Sequence, residues 1–158
     1  MSTIRLHDDP SRTTPVGLAR YATDFFRAAI AADDVLGKHA GYELIAPIPV
    51  MFLVGQAIEL ALKAYLLHKG VELKRLRQDF GHEIHRALRK AKELGLFDAV
   101  PLTPEDEATV ELLNSLYASK QLQYIVTGAK TYPVFGPLEQ VARKLVYGIG
   151  PVVGYQAR

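Results

Sequence analysis

A chain of 158 residues with an apolar fraction of 49% and a charged fraction of 23% has the size of one domain and an ordinary globular composition, which excludes a disordered, fibrous or low-complexity protein. A formal charge of +2 is too small to specify a polyanionic partner through bulk electrostatics, so such a partner has to be argued from local clusters. The absence of cysteine excludes disulfides, thiolate metal sites and cysteine nucleophiles, and points to a reducing compartment, the cytoplasm.

Residues 1–15 carry Arg5, Asp8, Asp9 and Arg12 and no apolar run of the kind a secretory signal needs. A flexible N-terminal tail is expected there, followed by a single helical domain over residues 16–158. From Val16 to about Lys38, Leu18, Ala22, Phe25, Ala29, Ala32 and Leu36 recur in steps of three and four and mark one helical face. Arg20, Asp24 and Arg27 fall on another face at ion-pair spacing. Gly37 and Gly41 interrupt the pattern, and Pro47 and Pro49 suit the start of a second helix that runs to Lys69 and stops at Gly70. This helix is apolar nearly all round, which predicts a central position. Its stretch from Ala46 to Leu67 has the length of a membrane span, but Gln56, Glu59 and Lys63 lie in its interior. Hydrocarbon would penalise those charges, so a buried core helix and no membrane association are expected.

After a charged connector, Val71 to Phe80, the spacing of Ile84, Ala87, Leu88, Ala91 and Leu94 predicts a third helix from Gly81 or His82 to just before Gly95. A fourth begins at Thr103 as N-cap, with Pro104 at the first helical position and Glu105, Asp106 and Glu107 against the positive end of the dipole. It is expected to reach about Tyr124. Thr127-Gly128 and Tyr132-Pro133 predict an irregular connection over Ile125 to Gly136. Pro137 opens a fifth helix, with Leu138, Val141, Ala142, Leu145 and Ile149 inward, that ends at Gly150-Pro151. No strand-like alternation or internal repeat appears, and the fold class predicted is all-α, an antiparallel up-and-down bundle of four to five helices.

Three features bear on chemistry. Gln56, Glu59 and Lys63 share one face of an otherwise apolar helix, and burying such groups is costly unless another element answers them. On the fourth helix, Leu113, Tyr117, Lys120 and Tyr124 form a stripe. Lys120 is expected to pair with Glu59, with Tyr124 or Tyr117 as further hydrogen-bonding partners. That seam reads either as a structural ion pair or as a polar pocket facing a ligand or a dimer partner. Next, His82 and His85 stand three apart, but zinc normally takes a third protein ligand, and His7, His39 and His68 show no telling spacing. No metal and no cofactor are expected, and His82 has a capping, packing or polar role. Finally, Lys69 to Glu93 holds eight basic residues, Lys69, Lys74, Arg75, Arg77, Arg86, Arg89, Lys90 and Lys92, against four acidic ones, Glu72, Asp79, Glu83 and Glu93. They could meet phosphates if they converged, but their spread round the helix and the lack of interleaved aromatics read as a solvated face.

The blocks Gln56-Ala-Ile-Glu59-Leu-Ala-Leu-Lys63-Ala, Gly81-His82-Glu-Ile and Leu116-Tyr117-Ala-Ser-Lys120-Gln-Leu-Gln-Tyr124, in this order, resemble the pattern of HEPN (higher eukaryotes and prokaryotes nucleotide-binding) domains over roughly Ala19 to Ile149. The resemblance implies an up-and-down helical bundle, commonly a homodimer, belonging to toxin–antitoxin or other defence systems, often beside a nucleotidyltransferase partner. Many members are metal-independent ribonucleases, with an arginine followed four to six residues later by a histidine on a late helix. Here no histidine follows His85, and Arg77 and His82, which have the nominal spacing, lie too early in the chain. The implied function is therefore a non-catalytic binding or regulatory module for a nucleotide, an RNA element or a protein partner. In it Gln56, Glu59, Lys63, His82, Lys120 and Tyr124 would line a polar site or stabilise the bundle. Ribonuclease activity, or a purely structural interaction domain, are the alternatives.

Overall fold

The computed structural model describes residues 9–124 and 130–158. Among them the chain is all-helical, without strands, and its helices pack on one another round a continuous apolar core. Helix α1 (Pro15–Leu36) starts with Pro15 in its first turn and Thr14 as N-cap, whose Oγ1 accepts the Gly17 N–H at 3.0 Å. Of the expected tail, residues 1–8 lie outside the described residues, while Pro10–Arg12 form a 3-10 turn capped by Asp9.

Helix α2 (Ile48–His68) is apolar on most sides, with Val50, Met51, Val54, Ile58, Leu62, Tyr65 and Leu66 all buried. It packs against α1 and against three later helices, which makes it the central element its composition predicts. It is long and apolar enough to cross a membrane, but 67% of its most apolar window is buried within the protein.

The segment expected as a plain connector is a helical turn, α3 (Leu73–Arg75), running into a π-helical turn at Leu76–Phe80. Leu73, Leu76 and Phe80 are spaced three and four apart, and this short apolar stripe anchors the segment on the core despite the charges around it. Gly81, at φ 48° and ψ −119°, ends it, and α4 (Ile84–Glu93) begins after His82 rather than at it. Gly95, at φ 93°, links α4 to a further short helix, α5 (Leu96–Ala99), in a stretch to which the sequence pattern assigned no element.

Helix α6 (Pro104–Tyr117) begins at Thr103 as predicted but stops seven residues short of Tyr124. Lys120 adopts φ 60°, its N–H donates to the Tyr117 carbonyl at 3.1 Å and the Gln121 N–H donates to the Leu116 carbonyl at 2.9 Å. This is a Schellman closure with lysine where glycine is usual, and it rotates Lys120 and Tyr124 off the α6 stripe. The Thr127-Gly128 turn signal lies outside the described residues. Helix α7 (Phe135–Val153) starts two residues before Pro137 and runs through Pro151, because a proline in the last turn forfeits only one donor. Gly154, at φ 93°, ends it, with the Tyr155 N–H on the Gly150 carbonyl at 2.8 Å.

Asp106 ties two of these elements together. Its carboxylate accepts the Thr103 N–H at 2.9 Å, closing a capping box at the start of α6, and also accepts Lys144 of α7 at 2.7 Å. Partial burial, the largest single influence, raises its pKa, but Lys144 and the Thr103 N–H together bring it below the ordinary value. A carboxyl whose folded pKa is depressed stabilises fully above the unfolded value of about 3.9 and loses that contribution as pH falls through the folded one. Asp106→Asn is therefore expected to lower stability at neutral pH by about 1–2 kcal/mol. The gap between variant and parent should narrow below about pH 4, as read by denaturant melts across the acid range.

Candidate functional site

At the middle of α2 the apolar surface is broken by Glu59, which is only 4% exposed. A carboxylate so placed needs donors for its lone pairs, and three elements supply them. Lys63, one turn along α2, gives Nζ to Oε1 at 2.7 Å. His82, from the turn before α4, sets Nδ1 at 3.1 Å from Oε1 and 3.3 Å from Oε2. Tyr117, at the end of α6, donates its hydroxyl to Oε2.

Each donor is placed by a local device. Tyr117 lies across α2 at Gly55, one turn before Glu59, where a Cβ would stand 2.5 Å from the ring carbon Cδ2. Only a glycine lets the phenol ring lie flat enough on α2 for its hydroxyl to reach the carboxylate. Phe52 packs on the same ring at a centroid distance of 6.1 Å, and the His82 ring meets it edge-on at 6.0 Å. His82 follows Gly81, whose backbone conformation is one that residues with a Cβ rarely adopt. Asn114, one turn before Tyr117, steadies the same turn, its Oδ1 accepting the His85 N–H at 3.3 Å and its Nδ2 donating to Glu83 at 3.1 Å.

The electrostatics follow from this arrangement. Burial, reinforced by the Glu59 charge and hydrogen bond, pushes the Tyr117 phenol far above its ordinary value, so it acts as a fixed donor. An ionised carboxylate only accepts, so the His82 proton sits on Nδ1. The Lys63 charge offsets that of Glu59 across 2.7 Å. The outer face of the network is His82, whose side chain is 48% exposed against 5% for Glu59. It borders a cleft of about 230 Å³ between the Gln78–Glu83 turn, Arg86 and Ala118.

Of the residues predicted to form the seam, Glu59, Lys63 and His82 come together, joined by Tyr117 of the two tyrosines considered. Lys120 is exposed and does not pair with Glu59, because the Schellman closure has turned it away. Tyr124 is 66% exposed and stands apart from the cluster. Gln56 is half-buried on α2 and makes no side-chain hydrogen bond among the described residues. Gly55, Gly81 and Asn114 were not anticipated; Asn114 alone left a signal, as a polar residue three before Tyr117 on the same helical face.

No grouping of three or more histidine and carboxylate side chains suited to a metal occurs among the described residues. Nor do the basic residues of Lys69 to Lys92 converge. Arg75 pairs with Asp79, Lys90 with Glu93 and Lys92 with Glu107, while Lys69 lies over the Tyr65 ring. Arg77 borders a separate depression with Pro10, Leu73 and Lys74, away from His82.

Three substitutions in and beside the network should each destabilise, Glu59→Ala the most. Glu59→Ala, which strands Lys63 and the Tyr117 hydroxyl, is expected to cost about 3–5 kcal/mol, and Tyr117→Phe about 1–3 kcal/mol. Gly55→Ala, although a helix-favouring change, should also destabilise, by about 1–3 kcal/mol, because the added methyl displaces the Tyr117 ring. Urea melts of the three variants check this, and a stabilised Gly55→Ala would contradict the packing described. No protein-family model matches the chain, and no curated protein or solved structure matches it.

Proposed function

We propose that the chain is a HEPN-like binding or regulatory module, an antiparallel up-and-down bundle that works as a cytoplasmic homodimer. Its ligand is a nucleotide or an RNA element, in a toxin–antitoxin or related defence setting with a nucleotidyltransferase as a candidate partner. What supports this reading is one observation: Glu59 and Lys63, His82, and Tyr117 come one from each of the three sequence blocks that carry the resemblance, and all meet at a single carboxylate. Blocks that merely filled a core would have no reason to converge on a polar centre whose outer member opens on a cleft.

A binding role is favoured over ribonuclease activity because the chain has no histidine after His85 to complete a late catalytic pair. The experiment is a thermal-shift screen against nucleotides and short RNAs, with RNA integrity followed in the same samples. A ligand at a hundred times its Kd adds about 2.7 kcal/mol, which for a chain of this size raises Tm by roughly 5–10 °C. A shift of that order without cleavage is the expected result. Cleavage that His82→Ala abolishes while the variant stays folded would replace this reading with the nuclease, and no shift with any nucleotide or RNA would leave a protein-interaction domain.

A further inference from the structure

The geometry points to a small-oxyanion site in the cleft beside His82, where the imidazole Nε2 and the Arg86 guanidinium hold a sulfate- or phosphate-like group and His82 takes up a proton as the anion binds. This deepens the binding reading by naming the chemical group recognised, and it rests on that reading only for the identity of the natural ligand.

The argument starts from the fixed edge of the ring. Glu59 engages Nδ1, and Lys63 and Tyr117 hold Glu59 in turn. Nε2 is the ring nitrogen that Glu59 leaves unengaged, on a side chain that is 48% exposed and lines the cleft. Gly81 holds the preceding turn in a conformation close to glycine-only, which fixes where His82 leaves the backbone.

Arg86 borders the same cleft. Its Nη1 donates to the Asp79 carbonyl at 3.0 Å, which steadies the guanidinium, and its other N–H groups have no acceptor among the described residues. Every charge facing His82 can be placed. From α2, Glu59 and Lys63 offset one another at 2.7 Å; from α6, Tyr117 is neutral. Asp79 of the π-helical turn is engaged by Arg75 at 2.8 Å, and Glu83 by Asn114 at 3.1 Å. Asn114 is neutral, so the Glu83 carboxylate keeps its charge and balances the Arg86 cation across the cleft, which gains a net positive charge only when His82 is protonated. A cleft of about 230 Å³ has room for a tetrahedral oxyanion together with the first atoms of an ester group.

Neutral His82, with its proton on Nδ1, would turn the Nε2 lone pair toward an anion and repel it. Binding therefore requires the imidazolium, whose Nε2–H is a charge-assisted donor. Proton uptake and anion binding are linked reciprocally, so affinity falls as rising pH removes the imidazolium.

Sulfate is the probe of choice because it remains a dianion across the ordinary histidine range. The five histidines are titrated by NMR through their Cε1–H signals with and without sulfate, His82→Gln identifying its resonance. Sulfate should move the His82 midpoint up by about half a pH unit or more and leave the other histidines in place. Sulfate affinity should weaken on the order of tenfold between pH 5.5 and pH 8. Arg86→Gln, checked by its melting curve to be folded, should remove the shift, whereas Arg89→Gln on the same helix should not. A His82 midpoint unmoved by tens of millimolar sulfate, an equal shift at all histidines, or a shift that survives Arg86→Gln would overturn the inference. If sulfate titrates His82 but no nucleotide or RNA binds, the anion site stands and the nucleic-acid reading falls. If RNA binds the parent but sulfate leaves the His82 midpoint unmoved, the reverse holds.

Discussion

An ionised carboxylate in the middle of the most apolar helix is the constraint from which much of this structure follows. Taken alone, burying Glu59 would cost several kcal/mol. Lys63 can be supplied by α2 itself at the next turn, but one lysine leaves acceptor capacity unfilled. The remaining donors have to come from other elements at fixed angles, and this sets the register of α6 on α2 and the path of the chain into α4. The arrangement is cooperative: Tyr117 and His82 touch one another as well as Glu59, so misplacing one ring disturbs two donors at once.

Backbone freedom, more than side-chain chemistry, is what lets the donors arrive. The absence of a side chain at Gly55 allows an aromatic ring to approach α2 closely, and the positive φ of Gly81 allows the chain to turn sharply enough to aim His82 back at the core. Asn114 then supplies the cap that α4 does not provide for itself, since Glu83, its N-cap residue, makes no side-chain capping bond. A polar centre in an apolar helix is thus held by two glycines and one asparagine that make no contact with the carboxylate.

Periodicity made the all-helical fold legible, along with the central place of α2 and the start of α6 at Thr103-Pro104, because burial of one stripe per helix dominates those segments. Where two local signals compete, it was less informative. The stripe Leu113-Tyr117-Lys120-Tyr124 is a valid helical pattern, but the chain closes the helix at Lys120 without the glycine that would announce it, so a lysine was assigned to Glu59 that in fact points to solvent. Leu73, Leu76 and Phe80 hid a helical turn among charged neighbours for the opposite reason, an apolar stripe too short to stand out. At the site, the need of Glu59 for partners could be read from composition alone; that one of them would be His82, 23 residues away in sequence, depends on a tertiary approach that no spacing encodes.

The structural and the ligand-facing accounts of this network are less opposed than they first look. A seam between two helices that served only to hold them together could be filled by leucine and phenylalanine, with no desolvation to overcome, and buried ion pairs replaced in that way commonly leave a protein as stable or more so. What such a seam could not do is fix the tautomer of a half-exposed histidine. By accepting the Nδ1–H hydrogen bond, Glu59 determines which nitrogen His82 turns away from the bundle, and Lys63 and Tyr117 hold Glu59 in place to do so. The ionic centre costs the fold something an apolar one would not, and what it returns is a single defined face of one imidazole at the edge of a cleft.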